Sequence, residues 1–266
     1  MKIAWLTDMH LNFVGRDEFS HLCASLRTSS ANATLITGDI ATSYNLTRYL
    51  DELADNMKMP IFFVLGNHDY YGSSVREVNE TVRKMASENL YLTWLSVCHG
   101  PIELSPDTCL IGHEGLADGR LGNPEGSTVI LNDYYHIQEL VQPTKEARLQ
   151  VQHHLGDEAA AHLLHQLEMA TTAGYSHILV ALHVPPFPEA CWHMGHNTDD
   201  YYLPHFGCKA TGDVLRKFAE EKPMSQIDVY CGHVHSQGEA EILANLRVHT
   251  AGAEYREPKI SKIIEV

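Results

Sequence analysis

Five short segments of this 266-residue chain carry side chains that bind transition metals: Asp8-Met-His10, Gly38-Asp39, Gly66-Asn67-His68-Asp69, His183 and Gly232-His233-Val-His235. Carboxylate, carboxamide and imidazole donors in one set suit Mn, Fe, Zn or Ni better than Ca or Mg. Two such ions about 3.5–4 Å apart clamp a phosphoryl group and activate water for in-line attack. Singly these residues say little. Asp8 alone reads as a turn or cap residue, Asn67 as a turn former, and His183 as a satisfied buried histidine. Jointly they place seven ligand-type side chains, Asp8, His10, Asp39, Asn67, His183, His233 and His235, behind five similar stretches of chain.

Those stretches are residues 3–7, 33–37, 61–65, 177–182 and 227–231, each a short apolar, often β-branched run followed abruptly by polar residues or glycine. Runs of this kind are expected to form buried strands. Between them, residues 17–26, 45–56, 74–87 and 157–172 have the pattern of helices. In the last of these, Asp157 is placed to cap, Leu163, Leu164 and Leu167 face inward and Gly174 closes the end. Gly156 is expected to separate it from an earlier helix opened by Pro143. Strands alternating with helices indicate an α/β chain with parallel strands. Segments 108–112, 240–243, 247–250 and 262–266 follow with short turns, which suggests a second, partly antiparallel sheet. In open α/β sheets the carboxyl ends of the strands form the ligand crevice, so the five strand ends should meet there. Residues 113–132 and 185–212 fit neither element, and loops this long shape binding pockets. The chain is expected to form a single domain over 1–266.

The motif order Asp-x-His, Gly-Asp, Gly-Asn-His-Asp, His and Gly-His-x-His resembles that of the calcineurin-like metallophosphoesterases. The resemblance runs from residue 8 to residue 235. It implies a four-layer α-β-β-α double β-sandwich of mixed sheets flanked by helices. It also implies that one metal takes Asp8, His10, Asp39 and His235, and the second takes Asp39, Asn67, His183 and His233. Asp39 then bridges, as its two oxygens allow. His68 stays unligated, facing the substrate, where an imidazole can bind phosphoryl oxygens or protonate a leaving alkoxide. Asp69 is expected to orient His68. Two divalent ions, set against Asp8, Asp39 and a bridging hydroxide as the attacking group, leave one net positive charge for a phosphoester.

The remaining sequence narrows the chemistry. There is no Gly-x-x-x-x-Gly-Lys-Ser/Thr loop, and no cysteine is followed by arginine six positions on, so P-loop and cysteine-phosphatase chemistries are absent. His113-Glu114 is not a zincin motif, because position 117 is alanine. The His68-Asp69 pair follows a strand, unlike the helical HD phosphohydrolases. Ser/Thr protein phosphatases resemble the chain poorly, because no arginine follows Asp39. The compact motifs are similar to those of bacterial phosphodiesterases, including the cyclic-nucleotide group. A small phosphodiester is therefore the expected substrate, with a phosphomonoester as the alternative. A non-catalytic metal-binding scaffold is the alternative of another class, and the retention of His68 and all seven ligands speaks against it.

Composition excludes some partners. Nineteen Lys and Arg against 34 Asp and Glu give a net charge of −15, which repels nucleic acid and anionic membranes. No basic groove or membrane-length apolar run stands out, and six scattered cysteines read as reduced thiols, so a cytoplasmic protein is expected. His153, His154, His162 and His165 read as a solvated helix face. His193, His196 and His205 lie in the 185–212 loop as packing or substrate residues, and Tyr201 and Tyr202 are expected to anchor it.

Overall fold

The computed structural model describes all 266 residues, Met1–Val266. In chain order the first strands are β1 (Lys2–Leu6), β2 (Ala33–Thr37), β3 (Ile61–Val64), β4 (Leu92–Trp94), β5 (Ile102–Ser105), β6 (Thr108–His113) and β7 (His177–Leu182). After them come β8 (Trp192–His193), β9 (His196–Asn197), β10 (Gln226–Cys231), β11 (Gly238–Leu243), β12 (Leu246–Thr250) and β13 (Lys262–Glu265). The helices are α1 (Arg16–Thr28), α2 (Leu46–Met57), α3 (Val75–Glu88), α4 (Asp133–His136), α5 (Lys145–Ala173), α6 (Leu203–Phe206) and α7 (Lys209–Glu221).

The strands are apolar on both faces because each sheet is covered on both sides. In β1, Ile3 and Trp5 face the partner sheet, whereas Ala4 and Leu6 meet the helices. In β7, Leu179 and Ala181 point between the sheets, and Ile178, Val180 and Leu182 point outward. This is the two-residue period of a strand with no solvated face. One sheet has the order β13-β1-β2-β3-β4, and the other β11-β12-β10-β7-β6-β5. Leu22, Leu50, Leu53 and Val82 of α1–α3 cover the first sheet, and Leu163 and Leu167 of α5 with Leu215 and Phe218 of α7 cover the second. The expected four-layer arrangement of mixed sheets is the observed one.

Four local expectations fail. Residues 262–266 do not join the second sheet; β13 pairs antiparallel with β1, Ile264 opposite Ile3, in the first. An edge strand's pattern marks it as a strand without naming its neighbour. Residues 145–173 form one helix that passes through Gly156, capped by Thr144 Oγ1 accepting from Ala147 N at 3.2 Å. Asp157 is thus no cap. It pairs with Arg120 at 2.7 Å, and Leu164 lies on the outer face at 42% exposure.

Gly156 is tolerated mid-helix because Asp118 packs against it. A Cβ there would lie 2.6 Å from Asp118 Cβ, and Asp118 cannot retreat. Its Oδ2 accepts from Ala210 N at 2.9 Å and meets Arg120 Nη1 at 3.2 Å. In an open helix Gly156→Ala would gain about 1 kcal/mol, but overpacking costs about 1–3 kcal/mol. The variant is expected to melt below the parent in a thermal scan; a rise in Tm would show that Asp118 yields.

Candidate metal centre

Parallel strands of both sheets end at one edge, and the turns leaving them carry the candidate ligands. Asp8 and His10 follow β1, Asp39 follows β2, Asn67 follows β3, His183 follows β7, and His233 and His235 follow β10. Backbone hydrogen bonds join these turns: Asp8 N donates to Gly38 O at 3.0 Å, His10 N to Asp39 O at 2.9 Å and Gly232 N to His183 O at 2.9 Å. The turns approach so closely that a Cβ on Gly66 would lie 2.2 Å from Asp39 Oδ1, and one on Gly232 would lie 2.0 Å from Asp8 Oδ2. Only glycine fits either point.

Asp8, His10, Asp39, His233 and His235 all have left-handed backbone, with φ of 49°, 43°, 52°, 69° and 55°. Among other non-glycine residues only Lys58, Met194 and Arg256 do so. Such conformations each cost on the order of 1–3 kcal/mol and persist where the surroundings over-determine them. Their concentration at one sheet edge marks a functional constraint.

The side chains form two adjoining groups. Asp8, His10, Asp39 and His235 offer ligand atoms that all lie within 4.8 Å of one another. Within the group, His10 Nε2 and His235 Nε2 face each other at 3.1 Å, and His235 Nε2 is 3.3 Å from Asp8 Oδ1. Asp39 Oδ2 lies 3.7 Å from His10 Nε2, while its Oδ1 lies 3.4 Å from His183 Nε2. Asp39 therefore touches both groups. In the second, Asn67 Oδ1 is 2.9 Å from His183 Nε2 and 3.0 Å from His233 Nδ1.

The protons in that second group are fixed from outside. His183 Nδ1–H donates to Thr37 O at 2.9 Å, and His233 Nε2–H donates to His205 O at 3.1 Å. Asn67 Nδ2 donates to Asp133 Oδ1 at 2.9 Å. The inward atoms, His183 Nε2, His233 Nδ1 and Asn67 Oδ1, are then all bare acceptors crowded together. Lone pair against lone pair at this spacing is repulsive, and a cation among them reverses the sign.

Electrostatics point the same way. Burial, reinforced by the Asp8 and Asp69 carboxylates, pushes Asp39 well above the usual carboxylate range. Burial lowers His10 to about 3, helped by His68, and His233 to about 4, helped by His183. His183 is lowered as well, first by burial. These imidazoles are neutral at pH 7, the form that binds metal. The ion-pair partners of Asp8 and Asp39 are histidines, not lysine or arginine. Buried carboxylates without a fixed cation fit a site built for metal ions.

His68 stands beside these groups without sharing their ligand atoms. Its ring stacks on Tyr71 at 4.2 Å and lies edge-on to His10 at 4.5 Å. Its backbone N–H donates to Asp39 Oδ1 at 2.9 Å. Asp69 does not orient it. Asp69 is fully buried and accepts from Ala41 N at 2.7 Å and Gly66 N at 2.8 Å, so it braces the turns instead.

The model of the calcineurin-like phosphoesterases matches residues 1–237. The chain belongs to this family. It is a metal-dependent phosphoester hydrolase, and the family uses two divalent ions. Solved structures share its fold. A phosphopantetheinyl hydrolase from Mycobacterium tuberculosis superposes with a TM-score of 0.68 at 15% identity, over 96% of this chain and 90% of that one. A dimetal phosphatase from Danio rerio gives 0.58 at 13% identity, over 95% and 87%. A sequence comparison with curated proteins returned no significant match. No helix is long and apolar enough to cross a membrane.

Around the phosphoesterase centre the structure adds residues that the motifs leave out. Asp133, at the start of α4, holds Asn67 and also accepts from Tyr71 O–H at 2.5 Å. His205 is buried rather than substrate-facing in its side chain; Nε2 meets Ser127 Oγ at 2.9 Å and Nδ1 bonds Tyr134 O–H. Its carbonyl is what holds His233. Tyr201 anchors its loop by bonding Thr128, while His193 and His196 sit on the exposed β8–β9 hairpin. His162 departs from the solvated-face expectation, since it is half-buried against His113 at 5.2 Å; His165 is exposed. The two long loops clasp each other, Asn123 N donating to Asp200 O at 2.7 Å.

Proposed function

We propose that this family member hydrolyses a small phosphodiester with two transition-metal ions, Mn, Fe, Zn or Ni. Asp8, His10, Asp39 and His235 hold one ion, Asp39, Asn67, His183 and His233 hold the other, and His68 acts on the substrate. The observation that carries this reading is the set of bare acceptors converging at Asn67 Oδ1, with both imidazoles' far nitrogens tied to carbonyls. When bound, the ions supply Lewis-acid polarisation of the phosphoryl group and a nucleophile at neutral pH. The chain positions the ions, excludes water from the ligands and offers the His68 ring to the ester oxygens. A diester is favoured because the compact motif form is similar to that of bacterial small-molecule phosphodiesterases. The positive charge left for substrate is small, which suits a monoanionic diester over a dianionic monoester. Segments 113–132 and 185–212 shape the pocket within one domain over 1–266.

The test compares bis-p-nitrophenyl phosphate with p-nitrophenyl phosphate under added Mn²⁺. A higher kcat/KM on the diester is expected. A clear monoester preference overturns the diester assignment, and no hydrolysis of either under any of the four metals overturns the catalytic one.

Asp133 provides a second check. By holding Asn67 Nδ2 it aims Oδ1 at the second ion, and outer partners of this kind are worth about 10–100-fold in metal affinity or activity. Asp133→Ala is expected to weaken retention of one ion per chain, read as metal content after dialysis. Full retention of both ions would remove Asp133 from the site.

A further inference from the structure

Beyond the ligands, the mouth of the centre is bounded by two half-exposed aromatic rings from opposite ends of the chain. Phe13, in the turn after His10, is 48% exposed, and Tyr255, in the segment between β12 and β13, is 49% exposed. Their rings meet edge to face at 5.4 Å and 87°. Tyr255 lies over the first ligand group, 4.5 Å from the His10 ring and 5.2 Å from His235. It also lies 6.5 Å from His68. Two exposed rings touching each other and three residues of the centre are not scattered surface hydrophobics.

The segment holding Tyr255 is constrained. Arg256 takes φ of 71°, one of three left-handed non-glycine residues outside the centre. A long side chain adopts that conformation at a cost, so the backbone next to Tyr255 is held in a turn by its surroundings. Residue 255 lies beyond the stretch matched by the family, which ends at residue 237.

We propose that Phe13 and Tyr255 form a stacking platform that selects phosphoesters bearing a planar aromatic group, an aryl alcohol or a nucleobase, close to the phosphorus. The proposal rests on the dimetal phosphoesterase reading above. The rings sit on the ligand groups, so a phosphoryl group held by the ions brings its substituent against them. The rings are half exposed and stand perpendicular to each other, so a flat group lying on one meets the edge of the other, an arrangement that rewards flat unsaturated groups over alkyl chains or polyols.

Isothermal titration of metal-loaded protein with methylphosphonate, phenylphosphonate and cyclohexylphosphonate tests this with one head group and no turnover. The parent is expected to bind phenylphosphonate about tenfold more tightly than methylphosphonate, as one stacked ring provides. Cyclohexylphosphonate should fall between them. Tyr255→Ala and Phe13→Ala should each reduce the preference, and Tyr255→Leu should do so while keeping bulk over His10. In all three, methylphosphonate affinity should stay unchanged. Methylphosphonate binding with no phenyl preference, or a preference the variants leave intact, overturns the platform and leaves the dimetal reading standing. Equal weakening of every phosphonate in the variants makes Tyr255 a cover for His10 and overturns selection. Failure of all three to bind the metal-loaded parent overturns both readings.

Discussion

Replacing His68 with alanine is expected to lower kcat on bis-p-nitrophenyl phosphate by about 10²–10⁴-fold, the span of general acid–base catalysis, with metal content unchanged. The expectation rests on where His68 stands. Its only contact with a candidate ligand through hydrogen bonding is its backbone N–H to Asp39, which alanine preserves. The ring itself packs on Tyr71 and meets His10 edge-on, but shares no hydrogen bond with the candidate ligands. Burial, with His233 beside it, lowers His68 to about 4, so the ring is neutral at pH 7 and keeps one N–H to donate. That N–H can hold a phosphoryl oxygen or follow the leaving alkoxide. Loss of an ion in His68→Ala, seen by metal analysis, would instead make His68 a ligand.

A larger and two-signed effect is expected for Asp39→Asn. Each carboxylate oxygen of Asp39 addresses a different group, Oδ2 toward His10 and Oδ1 toward His183. An amide keeps one acceptor and presents N–H₂ in place of the other, so under the proposed bridging role retention of both ions is not expected. Metal content should fall by at least one ion per chain, and activity by more than the about 10–100-fold that a lost outer partner costs. Stability without metal should move the other way. Asp39 is pushed up by burial and by the Asp8 and Asp69 carboxylates, so in the metal-free fold its charge is destabilising above the ordinary carboxylate pKa. The metal-free variant should therefore melt above the metal-free parent near pH 7, and the gain narrow as pH falls toward the carboxylate range. Metal addition should then raise its Tm less than it raises the parent's. Parallel shifts in both states would refute the bridging role.

That the candidate ligand residues meet at one sheet edge was legible because metal chemistry admits few residue types and the strand ends place them at fixed points. Alternating strands and helices indicated the α/β class, and the family resemblance implied the four layers. What stayed hidden depends on contacts that local patterns do not carry. Asp133 meets Asn67 across 66 residues, and nothing in its neighbourhood distinguishes it from a surface aspartate. Tyr255 reaches His10 only because the chain after β12 returns over β1. Asp69 misled through adjacency: successive residues in the tight turn Asn67–Tyr70 point apart, so it serves the backbone and not its neighbour. Gly156 misled because its cost in a helix is about 1 kcal/mol, small enough for packing against Asp118 to outweigh.

The left-handed residues at the sheet edge carry a consequence for how the protein ages. Their conformations are held by hydrogen bonds between the turns, against the repulsion of the bare acceptors at Asn67, His183 and His233. Chelation is thus expected to release a tensioned edge of the sandwich rather than empty an indifferent cup. Because the strand ends of both sheets are knotted there, slackening should begin at the catalytic rim and leave the opposite edge ordered. Hydrogen exchange would see that as early loss of protection around Gly38, Gly66 and Gly232. Stored without its ions, the protein would lose first the part of its shape that does its chemistry.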